Sequence, residues 1–190
     1  KNTISSIIML IMAPLLAIFL TLFVFQSYQV DGPSMETTLF NADRLIVWKA
    51  PRTFARISGH QYVPNRGDVI IFRESGLGTY GDSANSKQLV KRVIGLPGEH
   101  VTIKNGSITV YNQDHPSGFD PDKTLPYGKE RTMPETLDEI DVTLASNELF
   151  VCGDNRPNSL DSRMFGPIKT DQVVGKLVVR ISPLSQAKLF

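Results

Sequence analysis

One cysteine and three histidines are all that 190 residues offer a disulfide framework or a metal site. A lone Cys152 cannot close an internal disulfide or build a cysteine-rich zinc centre, and beside Val151 it reads as a small apolar core residue. His60, His100 and His115 are scattered, without the spacing that puts two imidazoles on one helix face. No metal and no cofactor is expected. Net charge is scarce as well: 20 Lys and Arg face 19 Asp and Glu, and setting Lys1 aside leaves 19 of each from Gln26 onward. A chain so balanced lacks the basic footprint of a nucleic-acid binder. Internal repeats are absent, and apolar runs of membrane length are absent with one exception.

That exception is Ile7 to Phe25, nineteen residues without a charge, interrupted only by Pro14 and Thr21. At about 1.5 Å per residue such a helix nearly spans a ~30 Å hydrocarbon layer. The rival, a cleaved leader, fits less well. The run exceeds a typical leader core, and Gln26-Ser27-Tyr28-Gln29 offers no small-x-small cleavage site. Lys1 precedes the segment and no basic residue follows until Arg44, so the positive-inside rule puts the N-terminus in the cytoplasm. Residues 1–27 are therefore expected to be a cytoplasmic end and transmembrane anchor, with 28–190 an extracytoplasmic domain. A hydrophobic content of 41% gives that domain a core.

Beyond the anchor the pattern is mostly β. Leu45 to Trp48, Asp68 to Phe72 and Leu89 to Ile94 are short β-branched or aromatic runs bounded by Gly, Pro and Asn. Val101 to Val110 reads as a hairpin, because Asn105-Gly106 accepts the positive φ values of a type I′ turn. Asn112 to Asn147 carries Pro116, Pro121, Pro126 and Pro134 among many charges and predicts a loop-rich insertion. The core resumes at Glu148 to Cys152, turns at Gly153 to Arg156, and ends with a strand from Val173 to Ile181.

Chemistry enters at Ser34, in the stretch Asp31-Gly32-Pro33-Ser34-Met35 just past the apolar run. A hydroxyl becomes a nucleophile only when a base removes its proton. Lys91 is the candidate. A period of two puts Leu89, Lys91 and Val93 on one strand face, where desolvation by aliphatic neighbours lowers an amine's pKa from its reference near ~10.4. Arg92 then falls on the opposite face as a solvated charge. Arg52 and Arg56, among Trp48 and Phe54, read either as a solvated loop or as contacts to lipid headgroups.

Ser34-Met35 behind the anchor, Arg66-Gly67-Asp68-Val69, Lys91 to Glu99, and Gly153 to Arg163 together resemble the type I signal peptidases. The blocks come in that family's order and cover nearly the whole chain. The brevity of the chain and Gly32 before the serine look like the short Gram-positive form. The resemblance implies an antiparallel β-sheet catalytic core, Ser34 as nucleophile and Lys91 as general base, with Ser159 hydrogen-bonding the lysine amine. It further implies an Asp161–Arg163 ion pair fixing the loop of Ser159, with Asp154, Asn155 and Arg156 shaping the same wall. Val30, Met35, Leu39, Leu89 and Val90 would line shallow pockets for small substrate side chains. Thr37 stands where the family usually has proline, so the turn loses one rigid φ. Gly32 stands where some relatives carry an oxyanion-stabilising hydroxyl, which leaves the backbone N–H of Ser34 with more of that work.

The expected activity is that of a membrane-bound serine endopeptidase, cutting signal peptides from exported preproteins after small residues at the outer face of the cytoplasmic membrane. Its partners would be preproteins, membrane lipid and the secretion machinery, with no nucleic acid. Two alternatives stay open: a catalytically degenerate relative assisting assembly of surface structures such as pili, and a Ser/Lys self-cleaving protease of the repressor type.

Overall fold

The alternating runs fold as antiparallel strands. The computed structural model describes residues 2–74, 87–130 and 132–190; Lys1 and Arg131, which belong to the expected anchor and insertion, lie outside the described residues. The strands in chain order are β1 (Phe25–Gln29), β2 (Arg44–Trp48), β3 (Val69–Glu74), β4 (Lys87–Gly95), β5 (His100–Lys104), β6 (Ser107–Tyr111), β7 (Ile140–Thr143), β8 (Glu148–Cys152), β9 (Ile168–Lys169), β10 (Val173–Ser182) and β11 (Lys188–Leu189). The larger sheet has the order β1, β2, β10, β3, β4, β8, β9, with β11 added beside β10. A second sheet has the order β6, β5, β7. All the pairings are antiparallel. Asn105 and Gly106 take φ of 52° and 79° at the β5–β6 turn, as the dipeptide requires.

The core divides between the sheets. Ile94, Phe150 and Cys152 of the larger sheet pack against Val101, Ile103, Ile108 and Val110 of the smaller one. A second cluster joins Ile70, Phe72, Val93, Leu149 and Val151, and a third joins Val30, Met35, Leu39, Leu45, Val69 and Leu177. Tyr28 of β1 and Val90 of β4 pack against the same buried residues although their strands are far apart in the sheet order. The sheet thus curls, and β1 comes to face β4.

Helix α1 (Asn2–Phe19) contains Pro14 and runs on through a π-helical turn, Leu20–Val24. Its 20-residue stretch Ser5–Val24 is long and apolar enough to cross a membrane, and none of it is buried against the rest of the chain. The helix ends sooner than the hydropathy implied. Phe25 opens β1 and pairs with Trp48, so residues 25–27, expected in the anchor, are already sheet.

Two regions are more regular than their sequence. Helix α2 (Ala50–Ile57) stands where a solvated loop was one of the two expected readings; Pro51 suits a first helical turn, and Thr53 Oγ1 donates to Phe23 O at 3.2 Å. With no buried residue, α2 has no core-facing apolar period to read. The insertion holds α3 (Pro121–Thr124), α4 (Pro126–Lys129) and β7. Its prolines start helices rather than prevent them: Asp120 caps α3 by accepting from Asp122 N at 2.9 Å.

Candidate active site

Ser34 lies in the turn between β1 and β2. Gly32 reaches φ 95°, a region that favours glycine, and its N–H donates to Asn41 Oδ1 at 3.0 Å. Glu36 N donates to Pro33 O at 3.0 Å, and Thr38 N and Leu39 N donate to Met35 O at 2.8 and 2.9 Å. These bonds hold the turn that Thr37 was expected to loosen. Lys91 sits in β4 opposite Ile70 of β3, on the face of Val93 and Leu89. Its Nζ is 2.7 Å from Ser34 Oγ.

Lys91 is 3% exposed. Burial lowers its pKa from 10.5 to about 8, while the Asp161 and Asp154 carboxylates pull it back upward. A neutral amine 2.7 Å from a hydroxyl can take that hydroxyl's proton. Cys152 itself is fully buried, and burial pushes its thiol up, so it stays a neutral core residue.

The loop after β8 braces the serine from behind. Asn155 N donates to Ser34 O at 3.1 Å, and Asn155 Nδ2 donates to Pro33 O at 3.1 Å. Gly153 permits this approach, since a Cβ there would fall 2.4 Å from Ser34 O and 2.2 Å from Ser159 Oγ. Arg163 grips Asp161 with Nε at 2.8 Å and Nη2 at 2.9 Å. It also donates to the carbonyls of Arg156 and Ser159, tying both ends of the loop. Burial alone would raise the Asp161 pKa. The Arg163 guanidinium, the Ser159 hydroxyl and the Gly153 N–H outweigh burial and hold it below the usual carboxylate range.

Several expected roles change. Ser159 makes no bond to the lysine, whose hydrogen bond goes to Ser34 instead. The buried Ser159 Oγ meets no partner at hydrogen-bonding geometry, although it lies near enough to favour the ionised Asp161. Arg92 is no solvated charge. It is 4% exposed, donating through Nε to Asp154 Oδ1 at 2.8 Å and through Nη2 to Asp154 Oδ2 at 2.6 Å. Thr38 Oγ1 also donates to that carboxylate, and the Tyr127 ring covers the guanidinium at 4.2 Å. Arg156 points away from the serine into the insertion, bonding Asp122 Oδ1 at 2.7 Å and Thr136 Oγ1 at 2.8 Å. A period of two assigns faces, but it cannot show that a second layer covers one of them.

A cleft of about 140 Å³ opens beside Ser34 and Lys91. Val30, Leu89 and Val90 line it. Met35 and Leu39 do not; both are fully buried in the core behind it, because the turn that exposes Ser34 directs its apolar residues inward. Tyr28, Gln29 and Gln88 also line the cleft, with Leu45 and Ile71 among the remaining wall residues. Tyr28 and Gln29 belong to the stretch Tyr28–Gly32 expected to flank an extended substrate together with Leu89 and Val90, whereas Gln88 carried no expected role. Both rims offer unpaired backbone. Among the described residues β1 pairs only with β2, and β4 pairs with β8 only from Arg92 onward. Among the described residues nothing accepts from the Ser34 N–H.

The sequence pattern of the family described as "Signal peptidase, peptidase S26" matches residues 3–182. A signal peptidase I of Bacillus caldolyticus is 37% identical over 172 residues, covering 88% of this chain and 85% of the relative. One from Leptolyngbya laminosa is 31% identical, covering 90% and 75%. A crystal structure of a signal peptidase I from Enterococcus faecalis V583 is 28% identical, covers 62% of this chain and 99% of its own, and superposes with a TM-score of 0.45.

Proposed function

The chain belongs to the signal peptidase family, peptidase S26, and we propose that its Ser34 is the nucleophile and Lys91 the general base with which it cleaves signal peptides from preproteins. The observation that carries this reading is the 2.7 Å contact between the serine hydroxyl and an amine depressed to about 8. Neutral Lys91 takes the Ser34 proton as Oγ attacks the scissile carbonyl. The oxyanion meets the free Ser34 N–H, and the resulting ammonium returns its proton to the departing amine. Water, deprotonated in turn by Lys91, then hydrolyses the acyl ester.

Substrate binds as an added strand between residues 28–32 and 88–90, whose unpaired edges supply backbone hydrogen bonds. A cleft of about 140 Å³ suits a small side chain before the scissile bond. The helix ending at Val24 anchors the enzyme, with the N-terminus cytoplasmic and the β domain, residues 28–190, on the outer face. There the scissile bond of a membrane-held substrate lies within reach. Protease digestion of sealed cells should remove the domain; protection of it would reverse this orientation.

Incubating purified protein with a preprotein tests the dyad. Ser34→Ala and Lys91→Ala should each abolish cleavage with the fold intact, and the double variant should be no worse than either. Substantial turnover by either single variant would refute the assignment.

A further inference from the structure

A cavity of about 630 Å³ stands apart from the dyad. Arg52 and Arg56, one turn apart on α2, share its wall with Arg73 of β3 and His60, against one carboxylate, Asp171. Arg66, Arg92, Arg156, Arg163 and Arg180 each have an acidic partner within salt-bridge distance. Among the described residues Arg52, Arg56 and Arg73 have none. Burial, then the charges of Arg56 and Arg73, hold the Arg52 guanidinium below its ordinary range. Three cations left facing one space amount to a binding site for an anion.

The place of the cavity says which anion. Lys49 Nζ donates to Thr21 O at 3.1 Å and Leu22 O at 2.9 Å, and Thr53 bonds Phe23 O, so α2 is seated on the end of the apolar span. Phe54 and Ile57 of the same helix are 74% and 79% exposed. A helix showing apolar side chains to one side and arginines to another lies in the headgroup layer, its apolar face in acyl chains. Guanidinium forks match phosphate oxygens in pairs. We propose that the cavity of Arg52, Arg56 and Arg73 binds the phosphate of an anionic phospholipid headgroup, with Phe54 and Ile57 against its acyl chains. This rests on reading Ser5–Val24 as a membrane span. Tyr28, a wall of the catalytic cleft, lies within electrostatic reach of Arg73 and Arg52, so the bound lipid seats the cleft at the bilayer surface.

The test uses the full chain in neutral detergent micelles, titrated with dihexanoyl phosphatidylglycerol. Trp48, the single tryptophan, lies two residues before α2 and reports binding by fluorescence; calorimetry gives the affinity. Phosphatidylglycerol should bind saturably and more than 10-fold tighter than either dihexanoyl phosphatidylcholine or inorganic phosphate. Arg52→Gln with Arg73→Gln should weaken it by about 30-fold, taking each arginine at a surface as roughly fivefold, while Arg44→Gln on β2 should not. Arg56→Gln, at an exposed position, serves if the double variant fails to fold. Equal binding by wild type and variant, equal binding of phosphatidylcholine, or inorganic phosphate binding as tightly would overturn the lipid site. Carbonate extraction reads the anchor separately. A chain that stays with the membrane yet shows no preference for phosphatidylglycerol sinks this proposal alone.

Discussion

Lys91 carries a conflict that its surroundings resolve only in part. Its depressed value of about 8 means that near neutrality most molecules hold a protonated amine, about nine-tenths of them at pH 7. Preprotein cleavage should therefore rise with pH through a limb centred near 8 and level off above it. A limb at the ordinary lysine value would remove Lys91 as the base. The same burial costs stability. The folded value lies below the unfolded 10.5, so the penalty is fully present below about pH 8 and is lifted as pH rises toward 10.5. At 3% exposure little solvent screens it, and the shift corresponds to about 3 kcal/mol. Lys91→Met, which keeps the shape without the charge, should be inactive yet melt higher than the wild type at pH 7, by an amount that shrinks toward pH 10. A variant that melts lower would show that the amine is not strained by burial.

At the scale of elements, the dyad is assembled by a strand and a turn, and the loop after β8 fixes their spacing. Gly153→Ala puts a methyl group 2.4 Å from Ser34 O, a backbone atom that cannot swing aside. The turn must move, and a displacement on the order of 1 Å at the nucleophile should lower kcat by roughly 10²-fold with a smaller change in KM. Wild-type kcat in Gly153→Ala would refute the bracing role. Strand placement was legible because period-two runs separated by Gly, Pro and Asn leave few other readings, and Leu89, Lys91 and Val93 share a face as their spacing requires. What escaped the sequence depends on distant partners. Arg92 finds Asp154 sixty-two residues away, and nothing local distinguishes that arginine from a solvated one. The pocket role of Met35 and Leu39 came only with the family resemblance, and a turn sends neighbouring side chains in opposite directions. β1 was concealed because Phe25 and its neighbours continue the hydropathy of the helix before them.

Over the whole molecule, two peripheral parts bear on one small cleft. The insertion does so through Arg156, whose fully buried guanidinium is paired by Asp122 while its Nε holds Gly153 O at 3.0 Å. Asp122→Ala would strand that charge in the interior at a cost of about 3–5 kcal/mol. It should lower the melting temperature and, through Gly153, cleavage as well. The anchor contributes in another way, because neither Ser34 nor Lys91 stands on it. A chain beginning at Phe25 keeps β1 and its pairing with β2, and it loses the Thr21 and Leu22 carbonyls that Lys49 holds, though not Gln26 Oε1 at 3.1 Å. Its kcat/KM on a soluble signal-sequence peptide in detergent should stay within about threefold of the full chain. On a preprotein held in vesicles the two should diverge. Two molecules confined to one surface meet at effective concentrations set by the tether, a gain of about 10²-fold or more, and the shortened chain forfeits it. Parallel rates on both substrates, measured side by side, decide the matter. Equal losses would mean that the helix shapes the active site itself, whereas a loss confined to vesicles assigns it to delivery, with the chemistry left to the turn at Ser34 and the strand at Lys91.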